Sequence, residues 1–443
     1  MDAPQQTTGS TTSQPLPTRW GGITRALRHR NFRLFIGGQL LSQIGTWVQM
    51  VAQIWLVYRL SGSPVMLGLV GFANQIPYLL LSPVAGVVAD RVNRRRLITV
   101  TQILAMLQAF LLAGLTLAGM VEVWHIFCLA LLLGVIGVFD MTARQSFLVE
   151  MVGKEDLMNA ISLNSSVYNS GRILGPAVAG VLLAAIGEGY CFLLNGCTFL
   201  GVIIGLLMMR LPPPPSEPHP SPFEHFQEGW NYIRHHAPSR ALLLLLGVAS
   251  IMNYPILILM PVFAESILHG GPRTLGILMS SMGVGAILGS IYMAARPGVR
   301  GLSRMITAAT ISYSVALILF AFSRTFHLSA LLLVPVGFGM TVQMAATNTT
   351  LQTIAPDALR GRVVGFYGMM LMGMAPFGSL MAGWLAGWIG APFTVAMGGV
   401  VCIAAALVFL RHRPVVKAAL IQAMEQNVEM LPVPIPGLVP KKP

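Results

Sequence analysis

Charge is what this chain has least of. Only 10% of its 443 residues are Asp, Glu, Lys or Arg, and 15 acidic residues stand against 28 basic ones. Ordinary soluble domains carry about 25% charged residues, so a soluble globular fold is excluded at the outset. Cysteine is equally scarce. Cys128, Cys191, Cys197 and Cys402 all fall in apolar runs without metal-ligand spacing, which argues against a zinc site and a disulfide framework. The His residues lie in loops or at the ends of apolar runs, with no His-Glu-x-x-His helix. No Gly-x-x-x-x-Gly-Lys-Ser/Thr loop is present, and no serine or cysteine nucleophile has partners in sequence. The expectation is therefore no metal, no cofactor, no ATP drive and no enzyme. Residues 1–20 are polar and lack the apolar core of a signal peptide.

Long apolar runs are what the chain does have, within a composition that is 55% hydrophobic. Twelve runs of spanning length fall near 34–58, 64–89, 97–120, 123–147, 158–186, 189–209, 241–264, 273–295, 303–323, 328–352, 362–387 and 391–411. Each is continuous over ~20 residues, the length of a transmembrane helix. The alternating segments of about 10 residues that build a β-barrel are absent. The reading is an all-α membrane protein of twelve transmembrane helices. A disordered tail is expected over 1–30, one six-helix half over 31–210, a linker over 211–240, a second half over 241–413 and a tail over 414–443. The linker opens on a stiff PPPPSEPHPSP run, and Phe223, Phe226, Trp230 and Ile233 then recur at the spacing of an amphipathic helix.

The basic residues orient the spans. All but four of the 28 Lys and Arg fall to one side: Arg59, Arg273 and Arg324 lie in opposite loops and Arg172 within a span. Positive loops stay cytoplasmic, so both termini are placed inside the cell. The same rule accounts for the net charge of +13 as a membrane-surface set, with no need of nucleic acid.

The stretch from Asp140 to Gly180 concentrates the unusual residues. It places Arg172 deep in a span, and an intramembrane charge faces a protein interior or a water-filled cavity by default. Around it, Gly171, Gly175 and Gly180 permit close helix approach, and Pro176 removes a helical N–H and bends the segment. Leu157 through Gly187 can be laid over Leu359 through Gly390, Gly171 meeting Gly373 and Pro176 meeting Pro376 after a two-residue slip. Two like-oriented halves related about the membrane normal are one design of secondary transporters.

These motifs resemble the major facilitator superfamily. The second-to-third loop, Gly86-Val-Val-Ala-Asp90-Arg91-Val-Asn93-Arg94-Arg95, is similar to its signature G-x-x-x-D-R-x-G-R-R. Gly171 to Gly180 is similar to the fifth-span antiporter motif G-x-x-x-G-P-x-x-G-G, with Ala179 replacing one glycine. Residues 31–411 look like the branch of drug and siderophore exporters related to the enterobactin exporter. That resemblance implies a bacterial inner membrane, a rocking of two halves, and a loop latch that holds the outward-open state. Gly86, Asp90, Arg91, Arg94 and Arg95 are its expected gating residues, with Asp90 able to cap a helix N-terminus of the other half. Arg96 is assigned to topology alone. In the second half the matching position is Met293, so any such latch is one-sided.

Of the acidic residues only Asp140 falls well within a span, and Arg144 lies one turn on. Asp140, Arg144 and Arg172 are read either as a proton-coupling site or as a fixed charge network; structural ion pairs also perturb ionisation. Asn164, Tyr168 and Arg172 share one helix face. The superfamily's fourth-span arginine motif is missing. In this family the first, fourth, seventh and tenth spans line the cavity, which makes Gln39, Gln43, Thr46, Gln49, Asn253, Tyr254, Gln343 and Thr347 candidates for substrate contact, against plain interhelical hydrogen bonding. Met369, Met370, Met372 and Met374, among 26 Met, offer an adaptable surface, though packing is their commoner use. The expected function is proton-coupled export of a drug-like or siderophore-like small molecule. An importer or lysolipid flippase on the same fold is the first alternative, and a non-transporting receptor or scaffold the second.

Overall fold

The computed structural model describes residues 25–209, 222–296 and 298–429. Among them it has helices and turns and no strand. The first three spans are Arg30–Ser61, Pro64–Arg91 and Arg94–Leu117. Helical backbone then runs over Val123–Met208, interrupted at Gly153 (φ 72°) and Gly187 (φ 77°). Left-handed backbone of this kind costs glycine little and other residues much, so each interruption is a reversal point. They cut the segment into a fourth, fifth and sixth span. The seventh to tenth spans are Ala237–Ile267, Pro272–Ala294, Leu302–Phe322 and Phe326–Ile354. The eleventh is Arg360–Ile389, and Ala391–Glu429 holds the twelfth. Gly390 (φ 82°) closes the eleventh span as Gly187 closes the fifth, which is the repeat seen in the sequence.

Three elements depart from the sequence reading. The eleventh span is not one helix but two, Arg360–Met372 and Ala375–Ile389. Pro376 explains the break, because it supplies no N–H and its ring crowds the carbonyl one turn back. The twelfth helix does not stop at Arg413; it continues through Pro414 to Glu429. Of the tail expected over 1–30, the first 24 residues lie outside the described ones, and the remainder is ordered rather than disordered chain. Arg25–Arg28 form a 3-10 turn, held where Asp156 takes Arg25 at 3.1 Å and His29 at 2.9 Å. The backbone N–H of Ala26 also donates to Asn159 Oδ1 at 2.9 Å.

The linker helix, Pro222–His235, lies against the eleventh span. Ile233 is buried beside Val363 and Phe366, the Trp230 ring stands 6.3 Å from that of Phe366, and Glu228 pairs with Arg362. The side chains of Phe223 and Phe226 lie outside the described residues.

The packing of the halves differs between the two faces of the bundle. One face of the bundle holds the ends from which the first and seventh spans start (the terminal face); the other is the distal face. A single hydrophobic cluster joins the halves toward the distal face, with Trp55, Leu67 and Ala179 beside Leu259, Leu275 and Ala382. Toward the terminal face the core divides. Phe32, Ala89 and Phe147 belong to a cluster of the first half alone, and Leu242, Val363 and Phe409 to one of the second. Tyr58 OH and Ser266 Oγ bond across the halves at 2.7 Å near the distal face, and Gln75 Nε2 donates to Tyr254 OH at 2.7 Å near mid-depth. The halves are thus fused distally and splayed at the terminal face.

Candidate functional site

The fourth span descends toward the terminal face and carries Asp140 and Arg144 on one side, one turn apart. Arg144 Nε donates to Asp140 Oδ2 at 2.5 Å. The other carboxylate oxygen, Oδ1, accepts from Thr101 Oγ1 at 2.8 Å and from Gln102 Nε2 at 3.0 Å on the third span. Arg144 also donates to Gln39 Oε1 on the first span, and Gln39 Nε2 donates to Gln43 Oε1 at 3.3 Å. The guanidinium carbon lies 5.6 Å from the centre of the Phe35 ring, within cation–π range. One charge pair therefore ties three spans together. Its side chains keep 15% and 17% exposure, so the pair is hydrogen-bonded without being sealed from water. The side chain of Arg172 lies outside the described residues.

The fifth-span glycines act as contact surfaces. A methyl group built on Gly171 would lie 2.6 Å from Gln43 Cγ, and one on Gly175 2.2 Å from Trp47 Cβ. Both glycines seat the fifth span on the first. Helical backbone continues through Pro176. Gly180, one turn on, faces the eighth span instead.

At the terminal face the loop motif is held within the first half. Arg94 bridges Glu150 at 2.5 Å and Asp90 at 3.7 Å, and Arg95 donates to the carbonyl of Leu207 at 2.9 Å. Asn93 caps the third span by accepting from the N–H of Arg96 at 3.1 Å. Arg91 and Asp90 are exposed, and a methyl on Gly86 would meet nothing within 4 Å. With the halves splayed here, Asp90 has Arg94 beside it rather than a helix terminus of the second half.

The eight cavity candidates separate. Gln39 and Gln43 join the Arg144 chain, Thr46 is exposed and bonds back to the carbonyl of Ser42, and Tyr254 meets Gln75. Gln49 instead turns into the first half, donating to Gln108 at 3.1 Å and accepting from Asn195 at 2.7 Å. Asn253 turns into the second half, donating to Tyr313 OH at 3.1 Å. In a hydrocarbon setting a buried amide turns to whichever neighbour can bond it. Gln343 and Thr347 are also buried, and Gln343 Nε2 and Thr347 Oγ1 have no partner. Thr101, Gln102, Phe35 and Gln75 are residues the sequence reading missed. The adjacent polar pair at 101–102, in mid-span, was the available signal for two of them.

Two six-span halves joined at the distal face and divided at the terminal face, with a hydrogen-bonded charge pair in one of them, have the architecture of a multi-pass membrane transporter of the major facilitator fold. The family comparison agrees: residues 23–434 match the model of the transmembrane secretion effector family, and the chain belongs to that family. It is 29% identical over 365 residues to the multidrug efflux pump Tap of Mycolicibacterium fortuitum, covering 80% of this chain and 88% of that pump. It is 26% identical over 383 residues to the staphyloferrin A transporter of Staphylococcus aureus, covering 85% and 95%. The enterobactin exporter EntS of Shigella boydii is 25% identical over 320 residues, covering 71% and 72%. Among solved structures, a bacterial homologue of the human lysosomal transporter Spinster, inward-facing and occupied, superposes with a TM-score of 0.63 at 14% identity, covering 89% and 96%. The nucleoside transporter NupG superposes at 0.64 with 13% identity, covering 88% and 99%. These two likenesses concern the fold. Family and fold are those of transporters, not of enzymes.

Proposed function

We propose that the chain is a proton-coupled exporter of drug-like or siderophore-like compounds, working by alternating access in a bacterial inner membrane with both termini in the cytoplasm. The carrying observation is the Asp140–Arg144 pair: an intramembrane carboxylate that stays partly exposed and is bonded to the first and third spans through its neighbours. A proton arriving at Asp140 removes the charge that Arg144 and the Thr101 and Gln102 donors hold. Arg144 is then left to Gln39 and Phe35, both on the first span, so a protonation step becomes a change in how the first and fourth spans fit. The divided terminal face is the proposed point of entry for cytoplasmic compounds. Gln39, Gln43, Thr46 and Tyr254 are the proposed substrate contacts. Asp90 and Arg94, free of the second half in this conformation, are the proposed latch for the opposite one. The relatives named as a multidrug pump, a siderophore transporter and an enterobactin exporter support this choice of substrate class.

The test is uptake of a fluorescent cationic dye into inverted vesicles under an imposed pH gradient, comparing wild type with Asp140→Asn. Gradient-driven uptake lost in the variant, with dye binding retained, is the expected result. Equal uptake by both proteins would reduce Asp140 to a structural role.

A further inference from the structure

The two halves end differently at the terminal face. The sixth span stops at Met208, so its last carbonyls have no partner within the helix. Two first-half arginines take them: Arg95 donates to the carbonyl of Leu207 at 2.9 Å, and Arg30 to that of Met208 at 3.3 Å. Counting on from the matched Gly187 and Gly390, Leu207 falls on Leu410. There the twelfth helix does not stop but runs on to Glu429, and its carbonyls stay in use within the helix. Arginines arriving from the ninth span find no such acceptor.

What they meet is another cation. The ninth and twelfth spans are antiparallel neighbours. The Phe393 ring stands 5.7 Å from that of Phe322, and a methyl on Gly399 would lie 2.7 Å from Ile318 Cγ1 and 2.9 Å from the carbonyl oxygen of Ser314. Carried along both helices at the same rate, either contact brings Arg411 level with Arg304, and both arginines are exposed. Arg300, also exposed, precedes them in a turn that Arg296 closes by donating to the carbonyl of Arg300, with Gly298 (φ 75°) and Gly301 (φ 78°) in left-handed backbone. Among the described residues, none of Arg300, Arg304 and Arg411 makes an ion pair, whereas Arg25 and Arg94 of the first half each hold a carboxylate. The acids of this face are engaged elsewhere, Asp357 with Arg360 and Glu228 with Arg362. Glu425 lies about 21 Å farther along the twelfth helix at 1.5 Å per residue.

The geometry points to a phosphate site: Arg304 and Arg411, with Arg300 beside them, hold the headgroup of an anionic glycerophospholipid between the ends of the ninth and twelfth spans. Two guanidinium groups held level on neighbouring helices repel unless an anion lies between them. Their planar forks match phosphate oxygens, and basic pockets between transmembrane helices suit lipid headgroups. A lipid fits better than a free anion because each arginine stands at the head of an exposed apolar strip. Val315 and Leu319 lie on the same face of the ninth span as Arg304, and Leu407 and Val408 on the same face of the twelfth as Arg411. Acyl chains would run along both. The site goes beyond the export reading, since it needs only a membrane boundary at the terminal face.

The test counts lipids bound to the purified protein by native mass spectrometry in detergent, titrating phosphatidylglycerol and, separately, phosphatidylcholine with the same acyl chains. The double variant Arg304→Gln, Arg411→Gln is compared with wild type and with Arg28→Gln, Arg33→Gln, an equal loss of charge at exposed first-half arginines. One arginine near a membrane surface is worth about fivefold in binding, so the double variant should lose about thirtyfold in affinity for phosphatidylglycerol. Wild type should prefer phosphatidylglycerol, and the first-half double variant should bind it as wild type does. Arg411→Gln alone, with a loss of about fivefold, serves if the double variant does not fold. Equal losses in the two double variants would reduce the effect to general surface charge and overturn the site, as would equal wild-type affinity for the two lipids. Displacement of phosphatidylglycerol by glycerophosphate at the lipid's own concentration would reveal a free-anion site and overturn the lipid assignment. Binding in micelles depends neither on which way the chain faces nor on transport, so the export reading is judged separately by dye uptake.

Discussion

The fourth and tenth spans begin at Val123 and Phe326, and counting in step from these starts places Asp140 on Gln343 and Arg144 on Thr347. The first half fills these two positions with an ion pair that reaches the first and third spans. The second half fills them with a buried amide and hydroxyl, of which Gln343 Nε2 and Thr347 Oγ1 bond to nothing in the protein. Similar backbones thus carry a titratable centre on one side and a neutral one on the other. The difference teaches that the repeat sets a backbone common to both halves while the ion pair belongs to one of them. The loop motif follows the same division, since Asp90 lies in the first half and Met293 stands at its place in the second.

The sharpest break of that comparison is Arg144→Ala. It leaves Asp140 in the membrane with only Thr101 and Gln102; breaking a fully buried pair costs about 3–5 kcal/mol, and this partly exposed one should cost about half of that. Thermal unfolding in detergent should show that loss, and gradient-driven dye uptake should vanish. Copying the second half into the first, with Asp140→Gln and Arg144→Thr together, should be far milder. Replacing both members of a pair is often close to neutral, so the fold should hold within about 2 kcal/mol. Dye binding should persist while uptake no longer responds to pH; persistent coupling would place the proton site elsewhere.

In the second half, Gln343→Leu and Thr347→Val remove polar atoms that have no protein partner. Leaving a buried polar group unmet costs about 1–3 kcal/mol, so each substitution should be neutral or stabilising by about 1 kcal/mol. A loss above that range would mean these atoms have work in another state of the cycle. The smallest effect concerns the amino-terminal turn. The bond from His29, with Arg25 close by, lowers the pKa of Asp156 below the usual carboxylate range. A lowered folded-state value means the tether is fully present above the ordinary carboxylate pKa and is lost as pH falls through the lowered one. Limited proteolysis near residues 25–30 should accelerate only in that acidic window, and Asp156→Asn should show the acidic behaviour at neutral pH.

Much of the fold was legible in the sequence because hydrocarbon demands continuous apolar runs, and twelve such runs leave little freedom in architecture. Asp140 and Arg144 were legible as a pair because four residues make one helical turn. Their further partners were not. Thr101 and Gln102 meet Asp140 across a tertiary contact that no spacing within one span encodes. Gln49 and Asn253 looked like cavity residues because a helical face can be read from sequence, whereas what that face turns toward cannot. The break at Gly373 and Met374 was marked only by Pro376, and proline is ambiguous: Pro176 and Pro414 sit in helices that continue past them.

Placing the acid and the base on a single span also bears on how the protein is made. A lone Asp or Arg at the centre of an inserting helix costs about 2.5–3.5 kcal/mol on the translocon scale. Asp140 and Arg144 can neutralise each other within their own helix, before the fifth span has left the ribosome. A pair divided between distant spans would have to wait, each charge unmet, for its partner to be synthesised. The fourth span therefore enters the bilayer carrying its own counter-ion, and the first and third spans, already in place, can receive it at once.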